Sequence, residues 1–373
     1  MTSILFVGDL HLGSRTFPVK RDGLTFKDER ALENLDIGLN YKKVDAVVFL
    51  GDIYDIPRPS EELQSHFNNR LAQLLQKKTE IVIIVGNHER TASFTAFDPL
   101  VEILPQVNIV SKPTYLMVGD VGLVCLPWSV SMARKGWSEQ FGKLLDRSVL
   151  KKLGLLNDVS NSLHVLIAGH LPVDGALVGA SNYRLDNQGI KLKQFRKFSE
   201  LFDAEYVFLG HYHKAQMMGG VIDYVGSIDR IDFGEKNDDK RVMLYDDGSV
   251  ADIQLDPTEF VEINSPEQLQ EAIVDGVTGV VKVDMKVTPE FAAGFDSVAC
   301  RQSLFNAGAQ HIMPLRVTAT RAVNVEENEK KLQLYGGILE DATKYYIRET
   351  FGSELNDEEL TKLESKALEL LEE

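Results

Sequence analysis

Cysteine is nearly missing from this chain: Cys125 and Cys300 are its only two in 373 residues. Two thiols exclude a disulfide framework and a four-cysteine zinc site, and they predict a reducing compartment. No apolar run reaches the roughly 20 residues that a membrane-spanning helix needs, so no membrane association is expected. The first residues carry no basic stretch ahead of their apolar run and are expected to form a strand, not a signal peptide. Nor is there a Gly-x-Ser-x-Gly elbow for acyl transfer or a Gly-x-x-x-x-Gly-Lys-Ser/Thr loop for ATP. With 44% hydrophobic and 26% charged residues, the composition excludes a disordered tail or a coiled-coil rod. The length predicts two or three domains, each able to bury a core.

A net charge of −16 works against affinity for a phosphate backbone. It is unevenly spread. From Asn324 to Glu373 there are 14 acidic and 6 basic residues, whereas Arg184, Lys191, Lys193, Arg196 and Lys197 cluster with Asp186 as the only acid among them. That basic cluster reads either as a contact for DNA phosphates or as a solvated face around Phe195 and Phe198.

Short apolar runs recur through the first 250 residues: Ile4–Val7, Ala46–Leu50, Ile81–Val85, Val121–Leu126, Val165–Ala168 and Tyr206–Leu209. Being rich in Val and Ile and without alternation, they read as strands buried on both faces. Helices are expected over Ser60–Lys78, with Ser60 as N-cap, and over Ser93–Leu104. Strands alternating with helices predict an α/β domain. Asp246-Asp247-Gly248 between apolar runs is a hairpin signal. Beyond it the pattern reads strand (Phe260–Ile263), helix (Pro266–Val274), strand (Val280–Val287), helix (Gln302–Ala307) and strand (Ile312–Val317), a small α+β unit. From Asn324 onward a helical spacing of Leu332, Leu339, Tyr346, Ile347, Leu360, Leu363 and Leu370, broken near Gly352, leaves an apolar face suited to a partner.

Five of the strand signals end alike, in a glycine followed by a metal-binding type of side chain. Gly8 precedes Asp9 and His11, Gly51 precedes Asp52, Gly86 precedes Asn87 and His88, Gly169 precedes His170, and Gly210 precedes His211 and His213. Strand ends in α/β sheets share a rim where ligands bind. On extended segments Asp9 and His11, and likewise His211 and His213, would face one side. Five of the eight histidines lie in these positions, which chance explains poorly. More ligands than one tetrahedral ion needs, with no cysteine among them, point to two adjacent divalent ions, manganese, iron or magnesium. Such a pair polarises a phosphate, acidifies a water and steadies a leaving oxygen.

In order and spacing these five motifs resemble the calcineurin-like metallophosphoesterase family, over residues 3 to about 213. Within it the likeness is to the SbcD-type nuclease subunits of bacterial double-strand-break repair and their phage relatives. It rests also on Asp52-Ile53-Tyr54-Asp55, on Arg58-Pro59-Ser60, and on Tyr224-Val225-Gly226-Ser227-Ile228 followed by Arg230 and Asp232-Phe233-Gly234-Glu235.

The resemblance implies a β-sandwich flanked by helices over residues 1–255, a DNA-capping α+β domain over 256–322, and a helical segment over 323–373 that docks on the coiled coil of an SMC-like ATPase. It implies two Mn²⁺ ions, one held by Asp9, His11 and His213 and the other by Asn87, His170 and His211, with Asp52 bridging. His88 would act on the scissile phosphate. Asp55, standing where some relatives carry a histidine, would support it. Implied activities are 3′→5′ exonuclease and single-strand endonuclease on single strands and duplex ends, in a homodimer built on Ser60–Lys78 and Ser93–Leu104, within the cytoplasm (the host's, for a phage-encoded chain). A protein Ser/Thr phosphatase is the rival enzyme reading, and a non-catalytic scaffold the third.

Overall fold

The central strands carry apolar side chains on both faces because each is covered twice, once by the opposing sheet and once by helices. The computed structural model describes residues 2–14, 17, 23–156, 162–178, 183–184, 188–320, 339–351 and 356–372. In chain order the first strands are β1 (Ser3–Val7), β2 (Ala46–Phe49), β3 (Glu80–Ile84), β4 (Val107–Val110), β5 (Thr114–Val118) and β6 (Val121–Leu126). They are followed by β7 (His164–His170), β8 (Leu177–Val178), β9 (Tyr183–Arg184) and β10 (Tyr206–Gly210). The series ends with β11 (Gln216–Met218), β12 (Ile222–Tyr224), β13 (Arg241–Asp246) and β14 (Ser249–Gln254). Two six-stranded sheets result, ordered β14-β13-β1-β2-β3-β4 and β11-β12-β10-β7-β6-β5, while β8 and β9 pair with each other. β1, β2, β3 and β4 run parallel, as do β6, β7, β10 and β12.

β1 shows the double covering. Ile4 and Phe6 point between the sheets, among Val48, Ile84, Leu123, Leu166 and Phe208, and the Phe6 and Phe208 rings stack at 4.2 Å. Leu5 and Val7 point outward, under helices α1 (Phe26–Tyr41) and α2 (Glu61–Gln76). α2 begins at Ser60, whose side chain accepts from the Leu63 amide, and buries Leu63, Phe67, Leu71 and Leu74. That apolar face is therefore spent on the sheet. On the other side, helices within Trp137–Lys143, Arg147–Lys152 and Leu192–Phe202 bring Phe141, Leu150, Phe195 and Phe198 onto the second sheet. The layers are helix, sheet, sheet, helix, the sandwich expected.

Some local expectations need correction. The segment from Ser93 is not helical until Asp98, and that helix stops at Ile103. Thr95 and Asp98 bond each other side chain to side chain at 2.6 Å and Pro99 fixes the first turn, so Ser93–Phe97 form a loop. The hairpin over Asp246–Ser249 is present, with Asp247 at φ 50° and Gly248 at φ 83°, the left-handed pair that a two-residue turn requires. The expected strand Ile312–Val317 is broken at Pro314 into His311–Ile312 and Arg316–Ala319, and the helix before it begins earlier, spanning Ser297–Asn306.

The chain forms two compact units. The first comprises Met1–Glu262, Glu271–Lys282 and Arg301–Pro314, and the second Ile263–Gln270, Val283–Cys300 and Leu315–Glu373. This partition does not follow the 255/256 and 322/323 boundaries. The strand Val280–Val287 pairs along its first residues with His311–Ile312 and along its last with Arg316–Ala319. In the second unit the helices Leu339–Phe351 and Asp357–Glu372 are joined by Arg348, whose Nε donates to Glu364 Oε1 at 2.6 Å. Among the described residues no helix is long and apolar enough to cross a membrane.

Phe67 is fully buried, with its ring 5.3 Å from Phe49 and 5.9 Å from Tyr54. Phe67→Ala is expected to cost about 3–5 kcal/mol, read as a lower urea midpoint at an unchanged slope.

Candidate metal centre

The strand-end glycines permit a convergence that any side chain would block. A Cβ on Gly8 would sit 1.8 Å from the Gly226 carbonyl oxygen, one on Gly86 2.2 Å from Asp52 Oδ1, and one on Gly210 2.5 Å from the Leu50 carbonyl oxygen. The rims of the two sheets thus touch at their carboxyl ends. The segments after the strands are not extended, contrary to the expectation for Asp9/His11 and His211/His213. His11, Asp52 and His211 have φ of 50°, 50° and 99°, a left-handed backbone that non-glycine residues adopt where the surroundings enforce it. The amides of Leu10 and His11 both donate to the Asp52 carbonyl, at 3.0 and 2.9 Å, and lock the turn.

All seven expected ligands stand on this rim. His170 is fully buried and its Nδ1 donates to the Leu50 carbonyl at 2.7 Å. Its Nε2 faces Asn87 Oδ1 at 3.0 Å and Asp52 Oδ2 at 3.2 Å. His211 Nδ1 lies 3.0 Å from the same Asn87 oxygen, while its backbone amide donates to Asp9 Oδ1 at 3.1 Å. His11 Nδ1 donates to Asp55 Oδ1 at 2.9 Å, leaving a buried Nε2 without a hydrogen-bond partner, 3.9 Å from Asp52 Oδ2. His213 Nδ1 donates to Glu235 Oε1 at 2.8 Å, and its ring lies 4.7 Å from that of His11.

His170 Nε2, Asn87 Oδ1 and Asp52 Oδ2, 3.0–3.2 Å apart, need positive charge among them, either a proton on the imidazole or a metal ion. Three of the four imidazoles are tied through Nδ1 to an oxygen outside the expected ligand set, the arrangement that fixes the tautomer of a metal-binding histidine. Burial alone would raise the Asp52 carboxyl, yet the positive potential of His170, His11 and His88 holds it well below the carboxylate range. Burial pushes His211 down to about 3, which keeps its lone pair available. The residues fit divalent metal.

Two compact groups of donor atoms lie within 4.8 Å: His11, Asp52 and His88, and Asp52, His170 and His211. Asp52 belongs to both, as a bridging carboxylate would. His88 here accompanies His11, where the sequence reading set Asp9 and His213. The His88 amide donates to Asp52 Oδ1 at 2.9 Å, and its Nδ1 lies 3.1 Å from the Asp55 carbonyl and 3.2 Å from Asp55 Oδ1. The hydrogen bond to Asp55 pulls His88 up to about 9.

Sequence reasoning missed the layer behind the ligands. Lys240, 1% exposed, donates to Glu235 Oε2 at 2.7 Å, to Ser227 Oγ at 2.8 Å and to the His213 carbonyl at 3.0 Å. Burial would raise Glu235, but His213 and Lys240 bring it down to about 2. Fully buried Glu89 accepts from the Ile53 amide at 3.2 Å, and burial with the nearby Asp52 charge pushes its carboxyl well up. Glu235 lay within a quoted motif; nothing in the sequence tied Lys240 to it.

The basic cluster is only partly free. Lys191 pairs with Asp174 at 2.8 Å and Arg196 Nη2 donates to the Gly219 carbonyl at 2.8 Å, while Lys193 and Lys197 are exposed. Arg184 lies on β9, and Phe195 and Phe198 belong to the core. Of the expected partner-facing residues, Ile347 and Leu360 are buried, Tyr346 and Leu363 are exposed, Leu339 and Leu370 lie on the two helices, and Leu332 falls outside the described residues.

Replacing Glu235 by Gln is expected to weaken Mn²⁺ binding about 10- to 100-fold through a loosened His213. Titration calorimetry measures the affinity, and a melting curve shows whether the fold persists.

The family model of calcineurin-like phosphoesterases matches residues 2–215. The DNA double-strand break repair protein Mre11 of Sulfurisphaera tokodaii is 25% identical over 61% of this chain and 54% of its own. The chain thus spans about half of that relative. The SbcD subunit of the SbcCD nuclease of Escherichia coli is 22% identical over 67% of each chain, and that of Bacillus subtilis is 22% identical over 96% of each. With Asp9, His11, Asp52, Asn87, His170, His211 and His213 all inside the matched residues, the chain belongs to the calcineurin-like phosphoesterase family.

Proposed function

We propose that the chain is the nuclease subunit of an SbcCD-like complex, a manganese-dependent DNA phosphodiesterase that acts as 3′→5′ exonuclease and single-strand endonuclease in DNA end processing, repair and recombination. It would work as a homodimer with an SMC-family ATPase. The observation that carries this reading is the similarity to the Bacillus subtilis SbcD protein over 96% of both chains. That similarity extends past the sandwich into segments for which a plain phosphomonoesterase has no use.

When bound, two divalent ions supply Lewis-acid polarisation of the phosphoryl oxygens and acidify a water for attack. Asp9, His11 and His213 would hold one, Asn87, His170 and His211 the other, with Asp52 shared. The chain's own part is then positioning and proton transfer. Asp55 reaches both His11 and His88 through one carboxylate oxygen, at 2.9 and 3.2 Å, so it orients a ligand and the acid together. His88, protonated through Asp55, donates its proton to the leaving oxygen as the P–O bond breaks.

His88→Asn is expected to lower cleavage of single-stranded DNA by at least about 100-fold and to leave the bound metal count near wild type. Equal loss of metal would make His88 a ligand instead. Turnover of single-stranded DNA against a phosphopeptide, both in manganese, separates the nuclease from a Ser/Thr phosphatase; preference for the phosphopeptide would reject the nuclease.

A further inference from the structure

Beside the metal centre lies a second concavity of about 470 Å³, outside the five strand-end motifs. Its walls include Arg90, Lys112, Arg134 and Lys135, and no acidic side chain lines it among the described residues. In a chain of net charge −16 such a surface is exceptional. Lys135 and Arg134 come from the last turn of the short helix Val130–Lys135, and both are exposed, as is Lys112. Arg90 follows the Gly86–Glu89 motif directly and is half-buried. Its Nη1 donates to the Trp128 carbonyl at 2.5 Å and to the Ser111 carbonyl at 3.5 Å, tying three walls together.

Trp128 connects this groove to the chemistry. Its ring lies 5.0 Å from that of His211 and is propped by buried Trp137 at 4.6 Å. The Trp128 amide donates to the Val85 carbonyl at 3.0 Å, which anchors the platform to the end of β3. A fixed, half-exposed indole beside a run of cations combines the two elements that hold unpaired nucleic acid: a face for base stacking and charges for the backbone. A duplex would leave the indole idle, since its bases already stack on one another.

We propose that this groove holds a single-stranded nucleic-acid segment next to the metal centre, with phosphates on Lys112, Arg134 and Lys135 and a base on Trp128. The assignment rests on the nuclease reading above. It is distinct from the basic cluster of Arg184–Lys197, where two of the cations are already engaged.

The test is fluorescence anisotropy of a labelled oligothymidylate on the full chain, in chelator so that nothing is cleaved. Lys112→Glu/Arg134→Glu/Lys135→Glu should weaken binding at least about tenfold and flatten the slope of log K against log salt by about 2, given roughly 0.7 per phosphate contact on a single strand. Trp128→Ala should weaken it about 5- to 150-fold, and Trp128→Phe should restore most of that. Equal affinities and slopes for the triple variant and the wild type would overturn the proposal. So would a loss carried by Lys193→Glu/Lys197→Glu, or a duplex of the same length losing as much as the single strand. Wild-type turnover of bis(p-nitrophenyl) phosphate in manganese separates the two readings. If that substrate is cleaved while no variant alters oligonucleotide binding, the groove is rejected and the metallohydrolase stands. If the wild type neither binds manganese nor cleaves either substrate, the nuclease reading itself falls.

Discussion

The constraint on which the rim depends is electrostatic: it gathers acceptors. His170 Nε2 lies 3.0 Å from Asn87 Oδ1 and 3.2 Å from Asp52 Oδ2, and no donor stands among these three atoms when the imidazole is neutral. Such a buried set must take up positive charge, a proton on His170 or a metal ion, to offset its desolvation penalty. The backbone bears a cost as well, since His11, Asp52 and His211 all take up positive φ. The sandwich serves as the clamp. Two sheets covered on both faces hold their carboxyl ends so closely that Gly8, Gly86 and Gly210 have no room for a methyl group. The repulsion this creates is relieved by divalent cations.

How far the sequence reaches into this arrangement depends on whether a feature is local. Strands such as Ile81–Val85 and Tyr206–Leu209 are legible because covering on both faces removes alternation, and α2 is legible because Ser60 caps it. The hairpin at Asp247-Gly248 is legible from two residues. Ser93–Phe97 misleads: its phenylalanines keep helical spacing, but the Thr95–Asp98 side-chain bond and Pro99 delay the helix. The residues that converge on the rim are legible by type, after a strand and a glycine, but their geometry is not. They converge through left-handed turns, not through extended alternation.

What the sequence hides is pairing over long separation. Glu235 supports His213 from 22 residues away, and Lys240 reaches back to the Ser227 hydroxyl across 13. A fully buried lysine is tolerable because a carboxylate, a hydroxyl and a carbonyl all receive it; removal of the carboxylate leaves its charge unpaired, and removal of the hydroxyl leaves one donor unsatisfied. The same relation explains why Glu235 stays ionised in spite of its burial. An ionised Glu235 in turn holds a proton on His213 Nδ1. The ligand geometry is thus set one layer further from solvent than the motifs extend.

Charge distribution links this interior to a polyanionic substrate. Most of the surface repels phosphate, and the C-terminal segment contributes half of the excess negative charge. Field lines from such a surface favour approach only where cations are concentrated. The rim itself carries Asp9 and Asp52, so before metal enters it repels a phosphodiester too, and metal loading reverses its sign. Discrimination then follows without a large basic interface. On the proposed reading, a strand would be held where loaded ions and the Arg90–Lys135 groove are adjacent, and little elsewhere. Weak, salt-sensitive binding outside that zone would suit the nuclease proposed above, because cleavage would then be confined to where the metals are.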